Sequence, residues 1–395
     1  EEALLARADP ACRSAALQRP CQPASFHTMG QRLGRPSLSL EYLSEGPWSW
    51  SLFSRSRCDH YCPDWPPVHL LIAEKARLEH LFADFDTPEG EQLDTVMRSS
   101  AQIKTNMTKQ KVSLNDRYTQ HDGLIHLRGS QAMVRLLLLQ RQRDFAAGLN
   151  TGGFVSGYRG SPMTAIDEEL WRAGALLPEN HITFWPGTNE HLAMTSVWGT
   201  QQTNYYNDGL YDGVFGMWYG KGPGLDQSID ALRQGNWHGA DKHGGVLICV
   251  GDDHNMTSTI NNYSSELLFQ DQFMPVLYPS DIQEVIELGL LGYALSRFCG
   301  AWVGFKLLPE TIETSATISA DIDRTRITLP HFEFPAEGVN AFLTDSVYEQ
   351  EARIKQYRLP AAIAFSRANA LNYVSHDCEN PKIGIVSMGK SWRDT

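Results

Sequence analysis

The sequence lacks a long uninterrupted apolar run and a secretory signal pattern. Apolar stretches such as Met133 to Leu139, which is broken by Arg135, are far shorter than a membrane-spanning helix requires. The acidic N-terminus has no positive segment followed by an apolar one, as a signal peptide would. We therefore expect a cytoplasmic protein with no membrane partner.

The sequence also has no cluster of basic residues. It contains 34 Lys and Arg against 46 Asp and Glu, a formal net charge of -12. Nucleic acids and anionic surfaces attract proteins with clustered basic faces, so we expect no nucleic-acid partner. The 42% hydrophobic and 20% charged content is that of an ordinary globular protein.

Seven cysteines, an odd number, are thinly spread and do not form a disulfide framework. Cys249 and Cys299 lie in apolar surroundings, which is typical of small buried thiols. The close pair Cys58 and Cys62 has no second pair at the spacing of a zinc site or an iron–sulfur cluster. We predict no metal ligands and no iron–sulfur ligands in this chain.

The character of the sequence changes near residue 107. Residues 1–106 show little periodicity and are predicted to be a disordered or non-native leader. Residues 107–322 form the predicted main domain. Residues 323–395 are predicted to be a polar linker, a helical segment over Tyr348 to Tyr373 and the truncated start of another α/β domain, with a strand over Lys382 to Ser387. We expect a piece of a longer polypeptide, because a strand directly before a chain end is not a domain boundary.

Between these limits, short apolar strands alternate with longer helices. The predicted strands are Phe154 to Gly157, Ile182 to Trp185, Val214 to Tyr219, Val246 to Gly251, Pro275 to Tyr278 and Trp302 to Leu308. The predicted helices are Ala132 to Gly148 with Ser130 as N-cap, Pro162 to Ala173, Glu190 to Asn204, Leu225 to Trp237 and Ile282 to Phe298. This order predicts parallel strands joined by right-handed helical crossovers. The expected fold class is α/β, a parallel sheet flanked by helices.

The most informative stretch runs from Phe184 to Gly199. Its strand ends at Pro186–Gly187, and Thr188 is predicted to cap a helix that has Glu190 in its first turn. Glu190 shares one helical face with three apolar residues, Ala193, Met194 and Val197. A carboxylate on an apolar face suggests a functional group. The simpler interpretation is an acid that only complements the helix dipole.

Two further loops follow predicted strands, and ligands in such sheets bind at the carboxyl ends of strands. In the loop from Gly157 to Pro162, Ser161 could simply cap the next helix. The loop from Tyr219 to Asp226 has enough glycine for its backbone to approach a ligand closely. It is not a nucleotide phosphate loop, because Gly222 stands where a metal-binding Ser or Thr is required.

Four segments, in the same order, resemble the pyrimidine-binding domain of the indolepyruvate ferredoxin oxidoreductase family. They are Ser156–Thr164, Asn189–Glu190 with the following helix, Gly224–Leu225, and Gly251–His254 through Gln270 to Pro275–Leu277. The resemblance covers residues 123–310 and is greatest to the large fused bacterial members, which carry the run Trp218–Gly224. It implies a thiamine diphosphate-binding fold of the pyrimidine type.

The resemblance implies oxidative decarboxylation of a 2-oxoacid to an acyl-CoA, with an iron–sulfur protein as electron acceptor. The base is the imino form of the cofactor's own aminopyrimidine, and a carboxyl group bonded to the ring nitrogen induces that form. By resemblance Glu190 has this role, and Gly187 and Asn189 also contact the cofactor. The substrate would be contacted by Ser161, Arg159 and Lys221.

The resemblance covers only part of such an enzyme. Mg2+ and the diphosphate would be held by a separate domain of the same longer polypeptide, and the iron–sulfur cluster would also lie outside this chain. The implied partners are a 2-oxoacid, coenzyme A, ferredoxin and a second copy in a homo-oligomer. Two alternatives stay open: a pyruvate-type ferredoxin oxidoreductase, and a non-catalytic α/β module that binds a partner.

Overall fold

The computed structural model describes residues 113–206, 208–259 and 261–395. They fall within one unit, Ala101–Thr395. The predicted leader over residues 1–106 and the Cys58–Cys62 pair lie outside the described residues, so both stay predictions. In the described part of the chain, no helix is long and apolar enough to cross a membrane.

A six-stranded parallel sheet forms the centre of the fold, in the order β3-β2-β4-β5-β7-β6, and a separate two-stranded antiparallel sheet pairs β1 with β8. The strands are β1 (Leu124–Arg128), β2 (Gly152–Gly157), β3 (Ile182–Phe184), β4 (Val214–Lys221), β5 (Val246–Gly251), β6 (Val276–Leu277), β7 (Val303–Leu307) and β8 (Ser315–Ser319). The six parallel strands are the six that the sequence predicts. The α/β fold class is confirmed.

The described residues contain short and long α-helices on both sides of the sheet. They are α1 (Asp116–Thr119), α2 (Gly129–Ala146), α3 (Thr164–Ala173), α4 (Leu176–Glu179), α5 (Glu190–Thr200), α6 (Gly222–Gln227), α7 (Ile229–His238), α8 (Glu266–Asp271), α9 (Ile282–Cys299), α10 (Pro309–Ile312), α11 (Val347–Arg353), α12 (Leu359–Ala368) and α13 (Lys390–Asp394). The predicted helix over Leu225 to Trp237 is thus two helices, α6 and α7.

Each face of the sheet contributes to its own apolar core. On β4, Phe215, Met217 and Tyr219 face the core that contains α2 and α9. Trp218, on the opposite face of β4, packs with Met194 of α5 in the second core. Side chains alternate along a strand, so a sheet covered on both faces has apolar residues at successive positions. This explains the continuous apolar runs of β4 and β5.

The antiparallel pair β1–β8 was not predicted. Leu124 lies opposite Ser319, and the pairing joins segments almost two hundred residues apart in sequence. Arg135 of α2 is buried and holds the ends of this pair against the main fold. Its guanidinium donates to the carbonyls of Arg117 and Gln120, which precede β1, and of Ala320, which follows β8. Neither strand has strong strand propensity, so the pairing depends on tertiary contacts.

Three predicted helix caps are wrong. Helix α2 begins at Gly129, with Arg128 as N-cap, so that Ser130 lies inside the helix. The N-cap of α5 is Asn189, whose Oδ1 accepts a hydrogen bond of 2.9 Å from the Leu192 amide, and not Thr188. Met163, not Ser161, precedes α3. Each correct cap lies within two residues of the predicted one, and local sequence does not fix helix ends more closely.

The predicted strand over Lys382 to Ser387 is also wrong. These residues are exposed and form no strand in the structure. Apolar residues such as Ile383 and Val386 have the right pattern, but a strand requires a hydrogen-bonding neighbour. None of the described strands pairs with this segment.

The helical segment predicted over Tyr348 to Tyr373 forms, but it ends at Ala368, and it packs on the main fold. A π-helical turn over Ile354–Arg358 joins α11 to α12, and Phe365 of α12 enters the first core. The guanidinium of Arg358 is fully buried and donates to the last carbonyls of α7, Asn236, Trp237 and His238, and to Val339. Burial lowers the pKa of Arg358 to about 10, so it remains charged at neutral pH.

Replacing Arg358 should therefore destabilise the protein strongly. We expect Arg358→Met to lower the free energy of unfolding by about 3 kcal/mol or more, because each buried carbonyl left without a donor costs about 1–3 kcal/mol. Urea unfolding measures this. The control Arg393→Met removes a half-exposed arginine that pairs with Asp281, and should change stability by about 0–1 kcal/mol. Equal effects of the two substitutions would contradict the anchoring role of Arg358.

Candidate functional site at the carboxyl edge of the sheet

The loops that follow β2, β3 and β4 meet at one edge of the sheet. The Gly187 amide donates to the Gly157 carbonyl at 2.8 Å, and the Tyr158 amide donates to the Tyr219 carbonyl at 3.1 Å. The stem of Lys221 lies against Gly160, since a Cβ on Gly160 would be 3.1 Å from Lys221 Cδ. The structure thus brings the three predicted loops together where parallel sheets bind ligands.

Glu190 is the first residue of α5 and lies at this edge. Its side chain is almost buried, with the residue only 8% exposed. Its main-chain carbonyl accepts a hydrogen bond of 3.1 Å from Trp218 Nε1, which fixes the start of the helix against β4. The side chain lies against Gly224: a Cβ on Gly224 would be 2.5 Å from Glu190 Cγ and 2.7 Å from Oε1.

The carboxyl oxygens of Glu190 accept no hydrogen bond from any residue that the structure describes. Other buried acids near this edge have partners. Asp252 accepts from Ser265, and Asp167 accepts from Tyr219. Neither carboxyl oxygen of Glu190 belongs to the fully buried atoms that lack a partner, and the group lies at the sheet edge, where a ligand can supply a donor.

The residues predicted to contact substrate lie on the same loops. Arg159 Nη2 is 3.0 Å from Asp167 Oδ2, and the Arg159 side chain is 64% exposed. Ser161 Oγ donates to Glu313 Oε1 at 3.3 Å, so the hydroxyl is engaged with a carboxylate rather than with a helix end. Lys221 ends β4 and is half-buried. Their contact with a substrate stays a prediction.

The residues predicted to contact the cofactor beside Glu190 have structural roles of their own. The Asn189 side chain caps α5. Gly187 is packed tightly, because a Cβ there would be 2.7 Å from Ala193 Cβ and 2.8 Å from the Asn189 carbonyl oxygen. Both residues are therefore explained by the turn that delivers Glu190, and a cofactor contact stays a prediction.

Aromatic residues near the loops divide into two groups. Trp218 and Tyr219 are fully buried in the two cores. Tyr158 and Trp185, which follow β2 and β3, are exposed. The second group therefore has surface available at the carboxyl edge for an apolar ligand or a partner.

Sequence reasoning did not identify an ionic cluster after β5. Asp252 is fully buried, and its Oδ2 accepts from Ser265 and lies 3.1 Å from Lys306 Nζ, which also pairs with Glu266. Burial raises the pKa of Asp252, and the opposing effects of Ser265 and Lys306 are smaller. The available signals were an acid directly after a buried strand and a lysine inside the apolar strand β7.

The described residues 113–206, 208–259 and 261–395 contain no group of three or more His, Cys, Asp or Glu side chains placed to hold a metal ion. Glu190 and the loop cations can bind an organic ligand through hydrogen bonds and charge. This arrangement supports binding of an anionic molecule beside a carboxyl group.

The chain is 24% identical over 170 residues to the indolepyruvate oxidoreductase subunit IorA of Pyrococcus abyssi, in an alignment that covers 43% of this chain and 24% of that protein. This chain is also similar to a solved structure of 2-oxoglutarate:ferredoxin oxidoreductase from Magnetococcus marinus, with a TM-score of 0.38 and 17% identity. The similarity covers 50% of this chain and 32% of the Magnetococcus chain. No protein-family model matches the chain.

The chain thus spans about a quarter of the length of the curated relative that it matches. The sequence similarity supports a relationship with 2-oxoacid ferredoxin oxidoreductases as a family, and not with one member of it. The expected resemblance is confirmed at this coarser level.

The close fit between Gly224 and Glu190 can be tested directly. We expect Gly224→Ala to displace the Glu190 side chain and to lower the free energy of unfolding by about 1–3 kcal/mol, because the added methyl overpacks the contact. The control is Gly199→Ala on α5, where an added Cβ meets nothing within 4 Å. Denaturant unfolding should show that this control gains about 0.4–1 kcal/mol. A neutral or stabilising Gly224→Ala would contradict the contact.

Proposed function

We propose that this chain supplies the pyrimidine-binding part of a thiamine diphosphate-dependent 2-oxoacid ferredoxin oxidoreductase. The supporting observation is Glu190, a residue only 8% exposed at the carboxyl edge of the sheet, whose carboxyl group accepts no hydrogen bond from the described residues. The similarity to an indolepyruvate oxidoreductase subunit agrees with this reading. The proposed reaction is oxidative decarboxylation of indolepyruvate or another aryl-pyruvate: the carboxylate leaves as CO2, coenzyme A takes the acyl group, and two electrons reduce ferredoxin.

The residues at this edge fit an aminopyrimidine ring. Glu190 would bond the ring nitrogen, which provides the partner that its carboxyl group lacks in the protein. Gly224 has no Cβ, and therefore leaves the Glu190 side chain room against α6. When bound, thiamine diphosphate would supply a nucleophilic carbon for the oxo group of the substrate. Glu190 would hold and share the proton at the ring nitrogen.

The surroundings of Glu190 support this proton-holding role. Asn189 fixes the first turn of α5, and Trp218 holds the main chain of Glu190 against β4. A group fixed in this way needs little rearrangement before a proton moves.

The charges on the neighbouring loops suit a 2-oxoacid. Arg159 and Lys221 are cations on the loops after β2 and β4, and Ser161 adds a hydroxyl group. A guanidinium matches the planar geometry of a carboxylate, and an ammonium group adds a second positive charge. The exposed rings of Tyr158 and Trp185 provide apolar surface that suits an aryl side chain.

The remaining parts of the proposed enzyme lie in other domains. We place the Mg2+ and diphosphate site in a companion domain of the same longer polypeptide, and the iron–sulfur cluster outside this chain. Coenzyme A, ferredoxin and a second copy of the enzyme are the further proposed partners. Cytoplasmic location remains part of this proposal.

Glu190→Gln in the complete enzyme tests the proposal. The amide keeps the volume of the side chain but cannot share a proton with the ring nitrogen, so we expect kcat to fall about a hundred- to ten-thousand-fold. Thermal unfolding should change little. The measurement is reduction of a viologen dye with indolepyruvate and, separately, with pyruvate.

The matched control is Glu349→Gln, which replaces another first-turn acid, at the start of α11. Glutamine can still accept the hydrogen bond from the Ser346 amide, so turnover should be unchanged. Unchanged turnover in Glu190→Gln would leave Glu190 as a dipole-complementing acid and favour the non-catalytic module. Preference for pyruvate over indolepyruvate would move the assignment to a pyruvate-type enzyme.

A further inference from the structure

Helix α3 carries two buried acids, and each lies between a buried tyrosine and an exposed arginine. Asp167 accepts a 2.7 Å hydrogen bond from Tyr219 and pairs with Arg159 at 3.0 Å. Glu169 accepts a 3.0 Å bond from Tyr118 of α1 and pairs with Arg172 at 2.6 Å. The two triads have the same chemistry, but only the first reaches the carboxyl edge of the sheet.

The first triad depends on a close approach between strands. Tyr219 of β4 lies beside Gly157 of β2, and a Cβ on Gly157 would be 2.5 Å from Tyr219 Cδ1 and 2.2 Å from its carbonyl oxygen. Only glycine lets the tyrosine ring pass this point. Burial and the bond to Asp167 raise the pKa of Tyr219 well above its ordinary value, so the hydroxyl stays protonated and donates.

Asp167 connects this buried tyrosine to the exposed loop after β2. One carboxyl oxygen accepts a hydrogen bond from Tyr219, and the other forms an ion pair with Arg159. The acid itself is buried, so it cannot turn away without losing a partner. The Arg159 ion pair is made through Nη2, and the other N–H groups of Arg159 have no partner in the described part of the chain. A guanidinium held at one end can still bind an anion at the other.

We propose that Asp167 and Tyr219 are positioning residues, which hold Arg159 at the carboxyl edge so that its guanidinium binds the carboxylate of the 2-oxoacid. This inference rests on the proposed function. Without Asp167, the long Arg159 side chain is free to sample many rotamers, and part of its binding energy is lost in ordering it. The acid and the tyrosine touch neither cofactor nor substrate themselves.

The test uses Tyr219→Phe and Asp167→Asn in the complete enzyme. We expect KM for the 2-oxoacid to rise about tenfold in both variants, with kcat changed less than about threefold, because orientation rather than chemistry is lost. Calorimetric binding provides a second measurement. Affinity for the 2-oxoacid should fall by a similar factor, while affinity for its uncharged 2-oxoamide analogue, which has no carboxylate, should not change.

The matched control is Tyr118→Phe, which removes the corresponding tyrosine from the second triad on the same helix. It should destabilise the protein about as much as Tyr219→Phe does, but leave KM and both affinities unchanged. Suppose that the wild-type enzyme turns over 2-oxoacids, and that Tyr219→Phe and Asp167→Asn change neither KM nor the affinity for the 2-oxoacid relative to that for the 2-oxoamide. The positioning role is then wrong and the proposed function stands. If the wild-type enzyme neither binds nor turns over any 2-oxoacid, both are wrong. Should Asp167→Asn not fold, Tyr219→Phe decides alone.

Discussion

Close packing between the strand ends is the constraint on which the candidate site depends. At Gly157, Gly187 and Gly224, an added Cβ would lie less than 3 Å from atoms of a neighbouring element. The approach at Gly157 lets the Tyr219 ring reach Asp167, and the approach at Gly187 lets the turn after β3 close. The approach at Gly224 lets the Glu190 side chain lie against α6. The same three contacts therefore position the proposed acid and the proposed substrate arginine relative to one sheet edge.

The charged residues at this edge fall into two kinds. Asp167 accepts a hydrogen bond from Tyr219 and pairs with Arg159, and Asp252 accepts from Ser265 and pairs with Lys306 through Oδ2, although its buried Oδ1 has no partner among the described residues. Glu190 is almost as buried, yet its carboxyl group has no donor among the described residues. The absence of a donor to Glu190 among the described residues, together with its place beside Gly224 at the sheet edge, supports a functional carboxyl group over a dipole-complementing one.

Strands with strong local signals could be predicted from sequence, as could the helix that begins with Glu190, because buried parallel strands have continuous apolar runs. The β1–β8 pair could not, since it joins distant segments of weak propensity. The predicted cap of α5 was one residue away from the observed one. Thr188 and Asn189 are both good caps, and only the structure shows that Asn189 is used. The Tyr219–Asp167–Arg159 triad could not be predicted from sequence either, because it joins a strand, a helix and a loop that only the tertiary fold brings together. The prediction of a strand over Lys382 to Ser387 was wrong because none of the described strands pairs with this segment.

The central claim is that Glu190 finds its missing partner in the aminopyrimidine ring. A structure of the complete enzyme with thiamine diphosphate bound tests it most directly. Our account predicts a Glu190 carboxyl oxygen within hydrogen-bonding distance of the pyrimidine ring nitrogen, about 2.5–3.0 Å. A cofactor ring bound elsewhere, or a Glu190 carboxyl group bonded to a side chain of a companion domain instead, would contradict it.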